Sequence, residues 1–200
     1  MSRQRSTAGY AEKADRLAAQ YESVTFEEVH AAILPFLPPP GRALDIGAGT
    51  GRDAAALARR GFLVTAAEPT AELRAHGEKL HAGTGIVWID DMLPDLAAVT
   101  ARAERFDAVF LTAVWMHLDA AERSRAMAVL ASLVSPGGRL FMTLRHGPVP
   151  PGRHMFDVSG EETAALAAGH GFAARHMAGY PDMLGRPDIA WTALVLDAAG

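Results

Sequence analysis

Residues Asp45-Ile46-Gly47-Ala48-Gly49-Thr50-Gly51 set an acidic side chain ahead of three glycines at alternate positions. The segment follows a short apolar run, Ala43-Leu44, and leads into an Ala-rich helical pattern, so it stands where a strand must turn into a helix. Only glycine lets a backbone turn this tightly and approach a ligand with no Cβ in the way. The unpaired N–H groups at the start of the following helix then face whatever the loop cradles. The spacing is not that of the dinucleotide-binding pattern G-x-G-x-x-G, because the third glycine comes one residue early.

Around this loop, strand and helix patterns alternate. Strands are expected at Arg42–Ile46, Leu63–Ala67, Ile86–Ile89, Ala108–Thr112, Arg139–Leu144, Phe172–Met177 and Trp191–Leu196. Helices are expected at Arg52–Arg60, Ala71–His81, Leu93–Ala101 and Ala120–Val134, and from Ser159-x-x-Glu162 toward Ala168. Residues 10–34 read as helical, with Thr25-Phe26-Glu27-Glu28 resembling a capping box, and Pro38-Pro39-Pro40-Gly41 ends that segment. Strands separated by helices imply right-handed crossovers and a mostly parallel sheet covered on both faces. The last connection, Ala178–Ala190, has no helical pattern and suits an antiparallel final strand.

Two hundred residues fit one well-buried domain, divided as an N-terminal helical segment (1–40) and an α/β core (41–200). A net charge of −4 gives no electrostatic case for nucleic acid or an anionic membrane. No run of about 18 apolar residues and no secretory h-region is found, so the expected location is cytoplasmic. With no cysteine, disulfides and thiolate metal sites are excluded. The eight histidines form no i, i+4 pair with a helical carboxylate, and no metal site is expected.

Ligands of open α/β sheets sit beyond the carboxyl ends of the strands, where strand order reverses. After the second strand comes Glu68-Pro69, with Glu68 placed to accept hydrogen bonds from ribose hydroxyls. After the third comes Asp90-Asp91-Met92, Phe106-Asp107 opens the fourth, and Pro136-Gly137-Gly138 precedes the fifth. In order and spacing, from about Gly41 to Leu144, these elements and the Gly loop resemble class I S-adenosylmethionine-dependent methyltransferases.

That resemblance implies a three-layer Rossmann-like sandwich whose seven-stranded sheet has its last strand reversed, under an N-terminal helical lid carrying Tyr10, Tyr21 and Phe26. It implies S-adenosyl-L-methionine as cofactor, held by Asp45, Gly47, Ala48, Gly49, Gly51, Glu68 and Pro69. One of Asp90 and Asp91 would accept from the adenine amine, with Met92 against the ring, while Asp91 could equally cap the next helix. Thr112-Ala113-Val114-Trp115-Met116-His117 would lie beside the methyl group. Trp115, His117, Arg145 and Tyr21 are then the candidate acceptor contacts, and His117 and His146 the candidate bases. The bland alternatives are a buried aromatic at Trp115, a satisfied helix end at His117 and surface charge at Arg145.

Missing motifs narrow the acceptor to a small molecule. Thr112-Ala113-Val114-Trp115 is not the Asn/Asp-Pro-Pro-aromatic segment of base-modifying relatives, and Thr112 and Arg145 supply no acidic metal cluster. The sequence leaves the acceptor's nucleophile and the oligomeric state open. A competing reading is a regulatory or non-catalytic module that binds S-adenosylmethionine; a nicotinamide-dependent oxidoreductase is disfavoured by the early third glycine. Methyl transfer needs alignment above all, worth about 7–11 kcal/mol of barrier. A base is needed only if the acceptor must lose a proton.

Overall fold

A computed structural model describes residues 9–200 of the chain. Seven strands form one sheet: β1 (Arg42–Ile46), β2 (Leu63–Ala67), β3 (Val87–Ile89), β4 (Phe106–Thr112), β5 (Val134–His146), β6 (Phe172–Pro181) and β7 (Ala190–Ala198). Their order is β3-β2-β1-β4-β5-β7-β6. The β1, β2, β3, β4 and β5 pairings are parallel, and β7 runs antiparallel to both β5 and β6. The helices are α1 (Ala14–Tyr21), α2 (Phe26–Val29), α3 (Arg52–Arg59), α4 (Ala71–Leu80), α5 (Ala97–Thr100), α6 (Ala120–Leu133) and α7 (Gly160–Ala168).

The apolar runs of β1 and β2 are buried beyond their first residue because helices cover both faces of the sheet. Strand periodicity splits the core in two. Leu44, Ile46, Val109, Leu111, Leu140 and Met142 face α6 through Met127, Leu130 and Leu133. Ala43, Ala108, Phe110, Phe141 and Val195 face α3 and the N-terminal segment through Ala54, Leu57, Phe26 and Ile33. The alanines of α3 let that helix lie close to the sheet. The Phe110 and Phe141 rings stack with centroids 4.6 Å apart, a geometry worth about 0.5–1.5 kcal/mol beyond area burial.

Two helical expectations come out shorter. Helix was expected over Leu93–Ala101, but α5 covers Ala97–Thr100, since Pro94 lacks an N–H and Leu96 is left-handed (φ 43°). The 10–34 segment is broken into a 3-10 turn (Ala11–Lys13), α1, α2 and a second 3-10 turn (Leu34–Phe36). Thr25 adopts an extended conformation and forms the expected capping box with Glu28, which ends any helix before it. Residues 1–8 of the expected lid lie outside the described residues. Among the described residues, no helix is long and apolar enough to cross a membrane.

Candidate functional site

Strand order reverses between β1 and β4, the place where an open α/β sheet leaves a crevice at its carboxyl edge. A cavity of about 590 Å³ opens there, bounded by the loop after β1, the ends of β2, β4 and β5, and the segment containing α1. The loop is tied down before it meets any ligand. The amides of Gly47 and Ala48 donate to the Ala67 carbonyl at 2.7 and 3.1 Å. The Gly49 amide donates to Glu68 Oε2 at 2.8 Å, and the Thr70 amide to Glu68 Oε1 at 2.7 Å. With the Thr70 side chain also acting on it, Glu68 still has room for a further donor among its roughly four lone-pair sites.

Gly47, Gly49 and Gly51 all have positive φ (68°, 59° and 82°). They are not equivalent. A Cβ at Gly47 would come within 2.6 Å of Val114, and one at Gly49 would touch the Tyr21 ring at 3.4 Å, both inside the cavity. One at Gly51 would strike Trp88 at 2.6 Å, on a side that does not line the cavity.

Three carboxylates gather under the loop. Asp45 is buried and accepts from the Ala54 amide at 3.1 Å. Burial, and then the Asp53 charge, pushes its carboxyl well above the ordinary range. Burial alone would raise Asp53 too, yet His30 and Arg52 beside it hold it far below. Asp53 Oδ2 lies 2.7 Å from His30 Nε2 and also accepts from Thr112 Oγ1 at 2.7 Å, while Oδ1 accepts from Arg52 Nε at 2.7 Å. For Glu68, burial raises the pKa against the pull of the Thr70 and Gly49 amides. Buried acids held this way favour a ligand that brings positive charge and hydroxyl donors.

Across the cavity, His117 Nδ1 lies 2.9 Å from the His154 carbonyl, so it carries the proton, and the Nε2 lone pair faces the Tyr10 hydroxyl at 3.0 Å. Burial lowers the His117 pKa, keeping the ring neutral near pH 7.

Of the residues the sequence singled out, Asp45, Gly47, Ala48, Gly49, Glu68, Pro69, Met92, Thr112, His117, Arg145 and Tyr21 all line this one cavity. Five others do not. Gly51 packs on Trp88, as above. Trp115 is fully buried in the core, the bland alternative at this position. His146 Nε2 lies 2.8 Å from Thr192 Oγ1 within the sheet. Asp91 accepts from the Met92 and Val99 amides at 2.9 Å each, which holds the turn into α5. Asp90 is half-exposed, 3.6 Å from Arg74. Sequence reasoning missed Asp53, His30 and Arg153; nothing local marks them, because the His30–Asp53 and Thr112–Asp53 bonds and the Arg153–Tyr10 contact join residues 23 or more positions apart.

A family model described as a methyltransferase domain matches residues 44–142. A curated ubiquinone biosynthesis O-methyltransferase of Xanthomonas axonopodis is 34% identical over 116 residues, covering 56% of this chain and 46% of that protein. An uncharacterized methyltransferase of Geobacillus kaustophilus is 30% identical, covering 48% and 43%. The match thus spans less than half the length of either relative. Among solved structures, magnesium protoporphyrin IX methyltransferase from Synechocystis PCC 6803 with bound S-adenosylmethionine shares the fold. Its TM-score is 0.67 at 18% identity, covering 96% of this chain and 85% of that one. Burkholderia thailandensis 1,6-didemethyltoxoflavin-N1-methyltransferase, with bound 1,6-didemethyltoxoflavin and S-adenosylhomocysteine, gives 0.69 at 18% identity, covering 94% and 90%.

Proposed function

Since the chain belongs to the class I S-adenosylmethionine-dependent methyltransferases, we propose that it binds S-adenosylmethionine in the cavity above the Gly loop and transfers its methyl group to a small-molecule acceptor. The observation that carries this reading is the Gly49–Glu68 contact. It holds a buried carboxylate with room for a further donor at the end of β2, beside a glycine loop that leaves room for a ligand. The names of the related proteins support a small-molecule acceptor, since those of the Burkholderia and Xanthomonas relatives name toxoflavin and ubiquinone chemistry.

The residues fit the cofactor. Glu68 would take the ribose hydroxyls, and Asp45 the positive charge near the loop. Gly47, Ala48 and Gly49 would line its path, with Pro69 and Met92 against the adenine. When bound, the cofactor supplies an activated methyl group on a sulfonium, so the protein contributes orientation and a dry site. Thr112, fixed by Asp53, and Val114 form the wall after β4. Tyr10, Tyr21 and Leu17 close the cavity from the N-terminal side, where Ala14 and Leu17 pack on Leu73. In this reading residues 1–40 are a lid within one domain of 1–200, and residues 41–200 are the core. His117 Nε2 takes the acceptor's proton when the nucleophile carries one, once Tyr10 moves off it.

Calorimetry tests the cofactor assignment. Gly49→Val, which puts a branched side chain where φ is 59°, and Glu68→Ala should each weaken S-adenosylhomocysteine binding by at least about tenfold. Wild-type affinity in both variants would overturn it.

A further inference from the structure

On β5 and the segments that follow it, three guanidiniums and a single carboxylate face one cavity. Arg145, Arg153, Arg186 and Asp182 all line the cavity. Asp182 is fully engaged elsewhere. It accepts from the Leu184 and Arg186 amides, from Nε and Nη2 of Arg186, and from Trp191 Nε1, at 2.6 to 3.2 Å. It has nothing left for the other two arginines. Among the described residues, Arg145 donates only to neutral groups, the Gly147 carbonyl at 3.3 Å, the Pro148 carbonyl at 2.8 Å and the Met155 sulfur at 4.0 Å. The Arg153 guanidinium lies 3.5 Å above the Tyr10 ring. Among the described residues, neither Arg145 nor Arg153 has a carboxylate partner.

Two half-buried cations left without a counter-ion in one cavity are costly unless the missing charge arrives with a ligand. The Arg153 charge acts on Arg145, and both cations act on His117, so the three side chains lie within electrostatic reach in one cavity. The carbonyls behind Arg145 fix its planar fork, the geometry that matches a carboxylate or phosphate through paired hydrogen bonds. We propose that Arg145 and Arg153 form an anion subsite, and that the methyl acceptor carries a carboxylate or phosphate seated on them beside His117. This rests on the acceptor-site reading above and adds the chemical class of the acceptor. The Tyr10 ring covers Arg153, so the anion reaches the pair as Tyr10 lifts, and the same movement bares His117 Nε2.

The test is titration of benzoate, phenyl phosphate and neutral benzamide into the protein saturated with S-adenosylhomocysteine. Benzoate or phenyl phosphate should bind at least about tenfold more tightly than benzamide, and the tighter of the two tells carboxylate from phosphate. Arg145→Met and Arg153→Met should each reduce that affinity by about tenfold or more while changing S-adenosylhomocysteine affinity less than about threefold. Arg125→Met, on the exposed side of α6, should change neither. Equal binding of benzoate, phenyl phosphate and benzamide would overturn the subsite. So would an equal loss in Arg125→Met, or a loss confined to S-adenosylhomocysteine, which would assign the arginines to the cofactor's own carboxylate. If Arg145→Met fails to fold, Arg153→Met and Arg145→Lys decide, the lysine variant keeping charge and part of the affinity. Loss of S-adenosylhomocysteine binding in the wild type, with anion selectivity intact, would sink the methyltransferase reading and leave the subsite standing.

Discussion

The Tyr10 hydroxyl sits 3.0 Å from Nε2 of His117, while Nδ1 of the same ring is held by the His154 carbonyl. One hydrogen bond sets the tautomer, and the other covers the basic lone pair with a residue of the N-terminal segment. For an acceptor that must lose a proton, His117→Ala should lower turnover by roughly 10²–10⁴-fold with S-adenosylhomocysteine affinity intact. Steady-state kinetics paired with calorimetry checks this; a variant that only loses stability and keeps its rate per folded molecule would reduce His117 to packing. The same group gives a pH dependence. Burial lowers its folded pKa below the ordinary value of about 6.5. The resulting stability is present above pH 6.5 or so and is lost as pH falls through the folded value. Denaturant unfolding between about pH 7 and 5 should therefore flatten in His117→Gln.

Asp53 joins His30, Arg52 and Thr112 in a single buried network under the cavity. Removing its charge leaves His30 and Arg52 without their shared partner. Asp53→Asn should cost about 3 kcal/mol or more of stability, because breaking a buried pair leaves the other charge uncompensated. Equilibrium urea unfolding measures it, and a loss under about 1 kcal/mol would show that water substitutes there.

Gly51 and Gly49 belong to one motif and should behave differently. Gly51→Ala meets Trp88 and a φ of 82°, so it should lose at least about 1–2 kcal/mol of stability from the left-handed backbone alone. Its effect on ligand affinity per folded molecule should be small. A clear affinity loss with unchanged unfolding would return Gly51 to the ligand.

Asp91→Ala should act as loss of a cap, about 1 kcal/mol of stability, since both its oxygens accept from backbone amides. S-adenosylhomocysteine binding should hardly change; calorimetry on Asp91→Ala beside Asp90→Ala checks which carboxylate, if either, serves the adenine.

These contrasts show where sequence reading reaches. The bounds of β1 and β2, the glycine loop and the reversed β7 are legible, because period, glycine spacing and helix-free connections are local signals. The cavity positions of Asp45, Gly49 and Glu68 follow from the rule that sites lie beyond strand ends. What lies directly on a strand end was legible; which way it points was not. Trp115 comes just after Thr112, the last residue of β4, yet turns into the core, and Asp91 spends its oxygens on the next turn. The bonds of Asp53 to His30 and Thr112, and the contact of Arg153 with Tyr10, are made only by the tertiary fold, so no spacing announces them.

The central claim is that the cavity above the Gly loop is built for S-adenosylmethionine and its product. Thermal unfolding with S-adenosylhomocysteine or NAD added tests it most directly. At about 100 times its dissociation constant, S-adenosylhomocysteine should add ~2.7 kcal/mol to the folded state, and Glu68→Ala should remove most of that gain at the same concentration, with NAD giving none. Stabilisation by NAD alone, or by neither ligand, would contradict the claim.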